Sequence, residues 1–206
     1  MEIKTKIIDE KENPKKFNYS FLPLYFKGDN KGIILSVGMG EIDGKNYGIN
    51  LASLGIVNSD NFGANISYIS SLTRKNNYFL NASPTSIVER ENRGVNLGVL
   101  SEVEGENRGI NLGLISIVKG KNRGVNLGLV SLVNEEKEEN VNVENLSLNC
   151  GLISLTKNPQ KGIILGAINY IECSKKNEEY YALGLLNIEK EEGKMKVTPF
   201  FKRKKS

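Results

Sequence analysis

The sequence predicts an all-β repeat protein built from units of about fifteen residues. Three observations carry that expectation. Residues 92–133 read NRGVNLGVLSEVEGE, NRGINLGLISIVKGK and NRGVNLGLVSLV, one unit written three times, and self-similarity at a fixed short period marks a repeat architecture. Within a unit the side chains alternate at period two, as strands require, and helical 3.6-residue spacing fits nowhere. Turn-forming pairs punctuate the units: Asp43-Gly44, Ser59-Asp60, Glu104-Gly105 and Lys119-Gly120.

Aligned units resolve into columns. An Asn column runs Asn50, Asn65, Asn81, Asn96, Asn111, Asn126 and Asn149. A Ser column runs Ser70, Ser86, Ser101, Ser116, Ser131 and Ser154 and continues as Asn169 and Asn187. Val125, Leu127, Leu129, Ser131 and Val133 are expected to form the apolar face of their strand, with Asn126 and Gly128 on the other face. Cys150 falls in the Leu97/Leu112/Leu127 column and is read as a small buried hydrophobe.

Two architectures satisfy this pattern. In a β-solenoid each unit is one coil and equivalent residues stack about 4.8 Å apart. In an antiparallel meander each unit is one strand. A two-residue loop at Glu104-Gly105 then sets Leu97 opposite Leu112 and keeps one face apolar. That pairing gives no stagger, which closure into a barrel needs. The solenoid is favoured because identical side chains gain from stacking, and Asn ladders gain hydrogen bonds as well. The meander or barrel is the alternative.

Taken in order, residues 1–16 are polar, contain Pro14 and read as a flexible arm. Residues 17–30, with the aromatic run FNYSFLPLYF, lack the Asn and Ser columns and read as an N-terminal cap strand. The repeats fill residues 31–189, and Pro84 should bend a coil or remove a ladder bond. Residues 135–144 are an acidic insertion, read as a solvated loop without the ligand spacing of a calcium site. Residues 194–201 read as a closing strand, and the whole of 17–201 as a single domain. Residues 202–206 form a basic tail.

Composition narrows the chemistry. The 206 residues include no His, which removes the commonest general base. The glycines follow the strand period and never form a phosphate-binding loop. Two Cys without His cannot fill a tetrahedral zinc shell, so neither a metal nor a cofactor is expected. Carboxylates lie in turns (Glu89, Glu91, Glu104 and Glu106) rather than in an evident cleft, so no catalytic residue is assigned and a glycan-active enzyme is the remote alternative. The net charge of +4 is mild and does not imply nucleic acid. No signal peptide and no apolar run of about 20 residues is visible, so a cytoplasmic location is the default. Alternating strands would also suit a membrane barrel, but Trp is absent and no aromatic girdles recur.

The most pointed surface feature is an arginine column, Arg93, Arg108 and Arg123, expected to form a basic stripe about 10 Å long. Tyr47, Phe62 and Tyr78 hold the same column in earlier units, and aromatics beside Arg suggest a strip for sugars or bases.

The unit RGINLGLIS, with GAIN at 166–169, GLLN at 184–187 and a close with Pro199-Phe200, resembles bacterial surface-repeat proteins built from GLQIGLIN-type units. The resemblance covers about residues 32–201 and implies a β-rich, non-enzymatic repeat protein at the cell surface. The expected function is therefore a structural or interaction scaffold with a protein or glycan partner. A binding module for an anionic polymer through the Arg/aromatic stripe is the alternative, and a membrane β-barrel is less favoured. Exposed sheet edges offer a route to oligomers.

Overall fold

The structure, a computed structural model, describes residues 6–9, 17–20, 23–134, 147–159, 161–173 and 179–204. It is all-β among those residues, and the chain winds as a β-solenoid rather than a barrel. Every coil pairs in parallel with the one before and the one after: Val95–Leu97 lies between Leu80–Ala82 and Ile110–Leu112, and Leu100–Val103 between Thr85–Val88 and Ile115–Val118. The favoured solenoid is thus the observed fold; the alternative meander would have alternated strand direction. Parallel stacking instead sets each residue on its equivalent, so one backbone conformation serves all coils.

A coil has three sides. Val95–Leu97 forms the first, Leu100–Val103 the second, and the short Glu91–Asn92 the third. Four residues per central coil point inward: Asn92, Asn96, Ser101 and Val103, each 0 % exposed. The apolar Leu97 points outward and is 39 % exposed. The expected facing is therefore inverted over this part of the unit: Leu127 and Leu129 face out, Asn126 faces in, and only Ser131 and Val133 point inward as supposed. Cys150, one of two free cysteines, shares the outward Leu127 column and is half-buried rather than core.

The inversion has a physical cause. A fifteen-residue coil is too narrow for four bulky inward side chains. Asn fits, and in a stack its amide finds a partner at each step. Asn96 Nδ2 donates to Asn111 Oδ1 at 2.9 Å, and Asn111 Nδ2 donates to Asn126 Oδ1 at 2.9 Å. Ser101 Oγ donates to Asn111 Oδ1 at 2.6 Å and Ser116 Oγ to Asn126 Oδ1 at 2.6 Å, tying the Ser column to the Asn column. Burying an amide is costly only when it is left unpaired.

A second Asn ladder, absent from the sequence reading, runs Asn30, Asn46, Asn61, Asn77, Asn92, Asn107 and Asn122. Each Nδ2 donates to the next Oδ1 at 2.8–2.9 Å. Apolar core is concentrated towards the two ends of the array. Ile8, Leu24, Phe26, Ile34, Ile42 and Val57 cluster at one, and Ile164, Ile171, Cys173, Tyr180 and Ala182 at the other. A thin column of Val88, Val103, Val118 and Val133 lies between them, set off from each end by the inward Thr73 and Thr156.

Several boundaries shift from expectation. Lys6–Asp9, inside the supposed arm, is a strand paired in parallel with Leu24–Lys27, because Ile8 closes the apolar cluster beneath Phe26. Residues 17–30 are not a lone cap strand. Phe17–Ser20 and Leu24–Lys27 pair with Ile33–Ser36 and Met39–Ile42 as a full coil. Ser71, not Ser70, stands in the Ser column beneath Ser86, since the one extra residue of that coil is absorbed at the corner around Tyr68 and Ile69. Pro84 occupies a corner between Leu80–Ala82 and Thr85–Val88 and interrupts neither strand.

The final strand, Lys194–Lys204, pairs antiparallel with Glu179–Glu191 and takes in most of the basic tail. Lys202 and Lys204 reach Glu189 there, a buried carboxylate that also accepts the Tyr180 hydroxyl at 2.6 Å. The acidic insertion 135–144 lies outside the described residues, as does most of the arm.

Candidate functional site

Three surface features compete. The first is the column of Arg93, Arg108 and Arg123 at the corner joining the third and first sides. Stacked like charges repel, and the sequence resolves this by placing Glu91 and Glu106 two residues earlier. Arg93 lies 2.9 Å from Glu91, Arg108 lies 2.9 Å from Glu91 and 3.1 Å from Glu106, and Arg123 lies 3.0 Å from Glu106. Each carboxylate bridges two coils. Hydrogen bonding to Glu91 raises the Arg93 pKa, and bonding to Glu106 does the same for Arg108. The expected basic stripe is thus a ladder of alternating charge, three guanidiniums over two carboxylates.

The second feature continues that column through the earlier coils. Tyr47 and Phe62 stack with centroids 5.1 Å apart and planes 6° from parallel, and Phe62 and Tyr78 at 4.5 Å and 4°. Arg93 caps the stack, 5.4 Å above the Tyr78 centroid. A sugar or base binds an aromatic platform through the ring face. Here the inner ring faces are occupied by neighbouring rings and by Arg93, and solvent meets ring edges. The aromatic strip is chiefly a packing device.

The third feature was missed in the sequence. Along the first side, one outward column runs Tyr19, Leu35, Leu51, Ile66, Ala82, Leu97, Leu112, Leu127, Cys150, Leu165 and Leu183. Its companion, two residues earlier in each coil, runs from Phe17 and Ile33 through Val95, Ile110 and Val125 to Tyr181. Neither column holds an Asp, Glu, Lys or Arg at any described coil; beyond the last coil the closing strand adds Arg203, 5.2 Å over the Tyr181 ring. Phe17, Tyr19, Leu35, Leu97, Ile110, Leu112, Tyr181 and Leu183 are all exposed. A corner ridge of Val99, Leu114, Leu129 and Leu152, more than half exposed, borders this side. The second side is also largely aliphatic but carries Glu41 and Glu102, and Glu102 is ion-paired with Lys119.

The size of the first side follows from strand geometry. The column of Tyr19 to Leu183 spans ten coil-to-coil steps of about 4.8 Å, and the first side with its corner ridge, as from Val95 to Val99, is about 15 Å wide, giving roughly 700 Å². The largest apolar patch on an ordinary monomer is about 300–600 Å² and is often functional. The signal for this surface was present in the sequence as the Leu97/Leu112/Leu127 column, but assigning Leu to the interior concealed it.

Among the described residues no group of His, Cys, Asp or Glu is placed to hold a metal ion, and no helix is long and apolar enough to cross a membrane. No protein-family model, curated protein or solved structure matches this chain.

Proposed function

We propose that this β-solenoid is a non-enzymatic interaction scaffold whose working surface is the charge-free first side. One observation carries the reading: along the whole array, the two outward columns of that side hold no charged residue. Evolution of a merely solvated surface would place Lys or Glu there, as the third side does at Glu91, Glu104 and Lys119. The Asn and Ser ladders supply the complementary property, a stiff interior in which polar atoms are tied from coil to coil. The likeness of the units to GLQIGLIN-type repeats adds a surface-associated setting to the proposal.

A catalytic role has less to build on. Glu91 and Glu106 are clamped by guanidiniums on both sides, so neither is placed to deliver a proton to a leaving group. Binding of an anionic polymer through the Arg column is weakened by the same ion pairs.

The test is photo-cross-linking in the source cells, with a benzophenone amino acid at Leu97, Leu112 or Leu127 and, for comparison, at Glu104 or Lys121. The scaffold reading expects adducts of higher mass from the three first-side positions and none from the polar side. Adducts from the polar side alone, or from nowhere, overturn it.

A further inference from the structure

We infer that the surface covering the charge-free first side is the same side of a second copy of this chain, packed face to face about a two-fold axis. The inference rests on the scaffold reading and names its partner.

Area is the first argument. A stable interface of standard size buries about 800 Å² on each partner. The first side together with its corner ridge offers roughly 700 Å² as a flat projection from coil pitch and width, and side-chain relief adds to it. That comes close to what each partner needs without the second side, where Glu41 and Glu102 interrupt the apolar surface.

Pitch is the second. Side chains on this side recur every 4.8 Å or so, and the grooves between coils recur at the same interval. A second copy carries an identical pitch, so its coils stay in step with these along the entire length, as in dry sheet-to-sheet packing about 10 Å apart. A partner of different architecture would match for a few coils and then fall out of step.

Relief is the third. In the outward column from Tyr19 to Leu183, five coils precede Leu97 and five follow it. A two-fold axis through Leu97 sets the shallow coils of Ala64 and Ala82 in one copy against the bulky coils of Leu112 and Leu127 in the other. Small meets large at these two coils, while the aromatic ends, Phe17 and Tyr19 in one copy and Tyr181 in the other, meet each other. An isologous contact of this kind closes on itself and leaves no open end.

Charge supplies the fourth. A lipid surface is the other apolar environment that would cover such a side. Membrane-binding surfaces combine apolar side chains with a rim of cations drawn to anionic headgroups. The rim here is chiefly Arg93, Arg108 and Arg123, already held at 2.9–3.1 Å by Glu91 and Glu106, with Arg203 laid over the Tyr181 ring at one end. It has little net pull on an anionic surface.

The experiment measures the mass of the full chain by light scattering at about 50 µM, without detergent. A particle of twice the 22.8 kDa chain mass is expected. Leu97→Lys places two ammonium groups together at the axis and should weaken association by at least about 100-fold, equivalent to about 2.8 kcal/mol. Leu155→Lys, on the second side, should leave the dimer intact. A second variant covers the case in which Leu97→Lys fails to fold. In a Cys150→Ser background, Leu97→Cys should cross-link two copies through a disulfide under mild oxidation, and Leu155→Cys should not. A monomeric wild type, or a dimer indifferent to Leu97→Lys and not cross-linked through Leu97→Cys, overturns the inference. So does flotation of the wild type with vesicles of equimolar phosphatidylcholine and phosphatidylglycerol, which assigns the side to lipid. These outcomes leave the scaffold reading standing, since that reading fails only when the cross-linker at the first side captures nothing.

Discussion

Replacing Asn111 by Ala tests the claim that amides, rather than aliphatics, hold the middle of this solenoid together. The Asn111 side chain accepts from Asn96 Nδ2 at 2.9 Å and from Ser101 Oγ at 2.6 Å. Its own Nδ2 is shared among Asn126 Oδ1 at 2.9 Å, Ser116 Oγ at 3.0 Å and the Ile117 carbonyl at 3.0 Å. A primary amide has two donor hydrogens and one acceptor oxygen, so about four hydrogen bonds are lost, each contributing about 1 kcal/mol net. Some neighbours keep a second partner, as Asn126 Oδ1 keeps Ser116 Oγ, which lowers the loss. The vacated space raises it. The expected destabilisation is about 3–4 kcal/mol, or a melting point lower by roughly 10 °C for a chain of this length. Thermal melts by circular dichroism, paired with urea unfolding to check that the m-value is unchanged, measure it. Leu129→Ala, on an outward residue, should move the melting point by only a degree or two. The decisive comparison is Asn111→Leu, which keeps the volume and removes every hydrogen bond. A Leu variant melting at or above the wild type would refute the reasoning and make the ladder a matter of shape alone.

Three further outcomes follow from the same geometry. Glu91→Gln with Glu106→Gln converts the ion-paired Arg column into a bare basic stripe, so the variant should be retained on immobilised heparin at salt concentrations where the wild type elutes; equal retention would show that the pairs do not mask the column. Gly109→Ala places a Cβ 2.1 Å from the Gly94 carbonyl oxygen of the coil below, and should lower stability by about 1–3 kcal/mol through overpacking, read by urea midpoint. Burial pulls the Glu189 carboxyl upward, but hydrogen bonds from Lys202 and Tyr180 and the charges of Lys202 and Lys204 outweigh it, so its folded pKa lies below the ordinary value. Its stabilising contribution is therefore complete above the unfolded carboxylate pKa of about 4.3 and is lost as pH falls through the lower folded value. Glu189→Gln should flatten the acid limb of the stability profile, and an unchanged limb would assign acid sensitivity to other carboxylates.

The sequence was most informative where the chain repeats itself. Fifteen-residue periodicity and period-two alternation fitted a meander as well as a solenoid; the Asn50-to-Asn149 column favoured parallel coils, and the structure stacks those residues. Facing was the point of failure. The rule that aliphatics lie inside put Leu97, Leu112 and Leu127 in the core, whereas a narrow coil has room for Asn and Ser and sends Leu outward. The Asn46-to-Asn122 ladder was legible as the Asn just before each member of the Tyr47-to-Arg123 column, yet its place before a turn hid its burial. The Arg column was found, but not the cross-coil pairing of Arg108 with Glu91. That contact joins residues seventeen apart, and only the register of the stack brings them together. The strand at Lys6–Asp9 carries no repeat signal at all. Its burial depends on Ile8 meeting Phe26, a match no periodicity announces.

The stacking rule has a bearing on how such a chain lengthens. Each central coil meets its neighbours through the same ladders, so the array has no internal ruler. Excising residues 96–110 would join Val95 to Asn111, restore the local sentence, and leave every remaining coil with the neighbours it requires. Duplicating them would do the opposite. Gains and losses of single residues are tolerated at a corner, as at Tyr68 and Ile69, but within a side they would turn Asn to solvent and Leu to the axis. Growth is therefore quantised in whole coils. Each coil added extends the charge-free side by about 4.8 Å, and roughly 70 Å² of contact surface with it. If that side is the contact surface proposed above, copy number is a heritable dial for binding strength, adjustable by duplication alone, with no change to any residue that makes the contact.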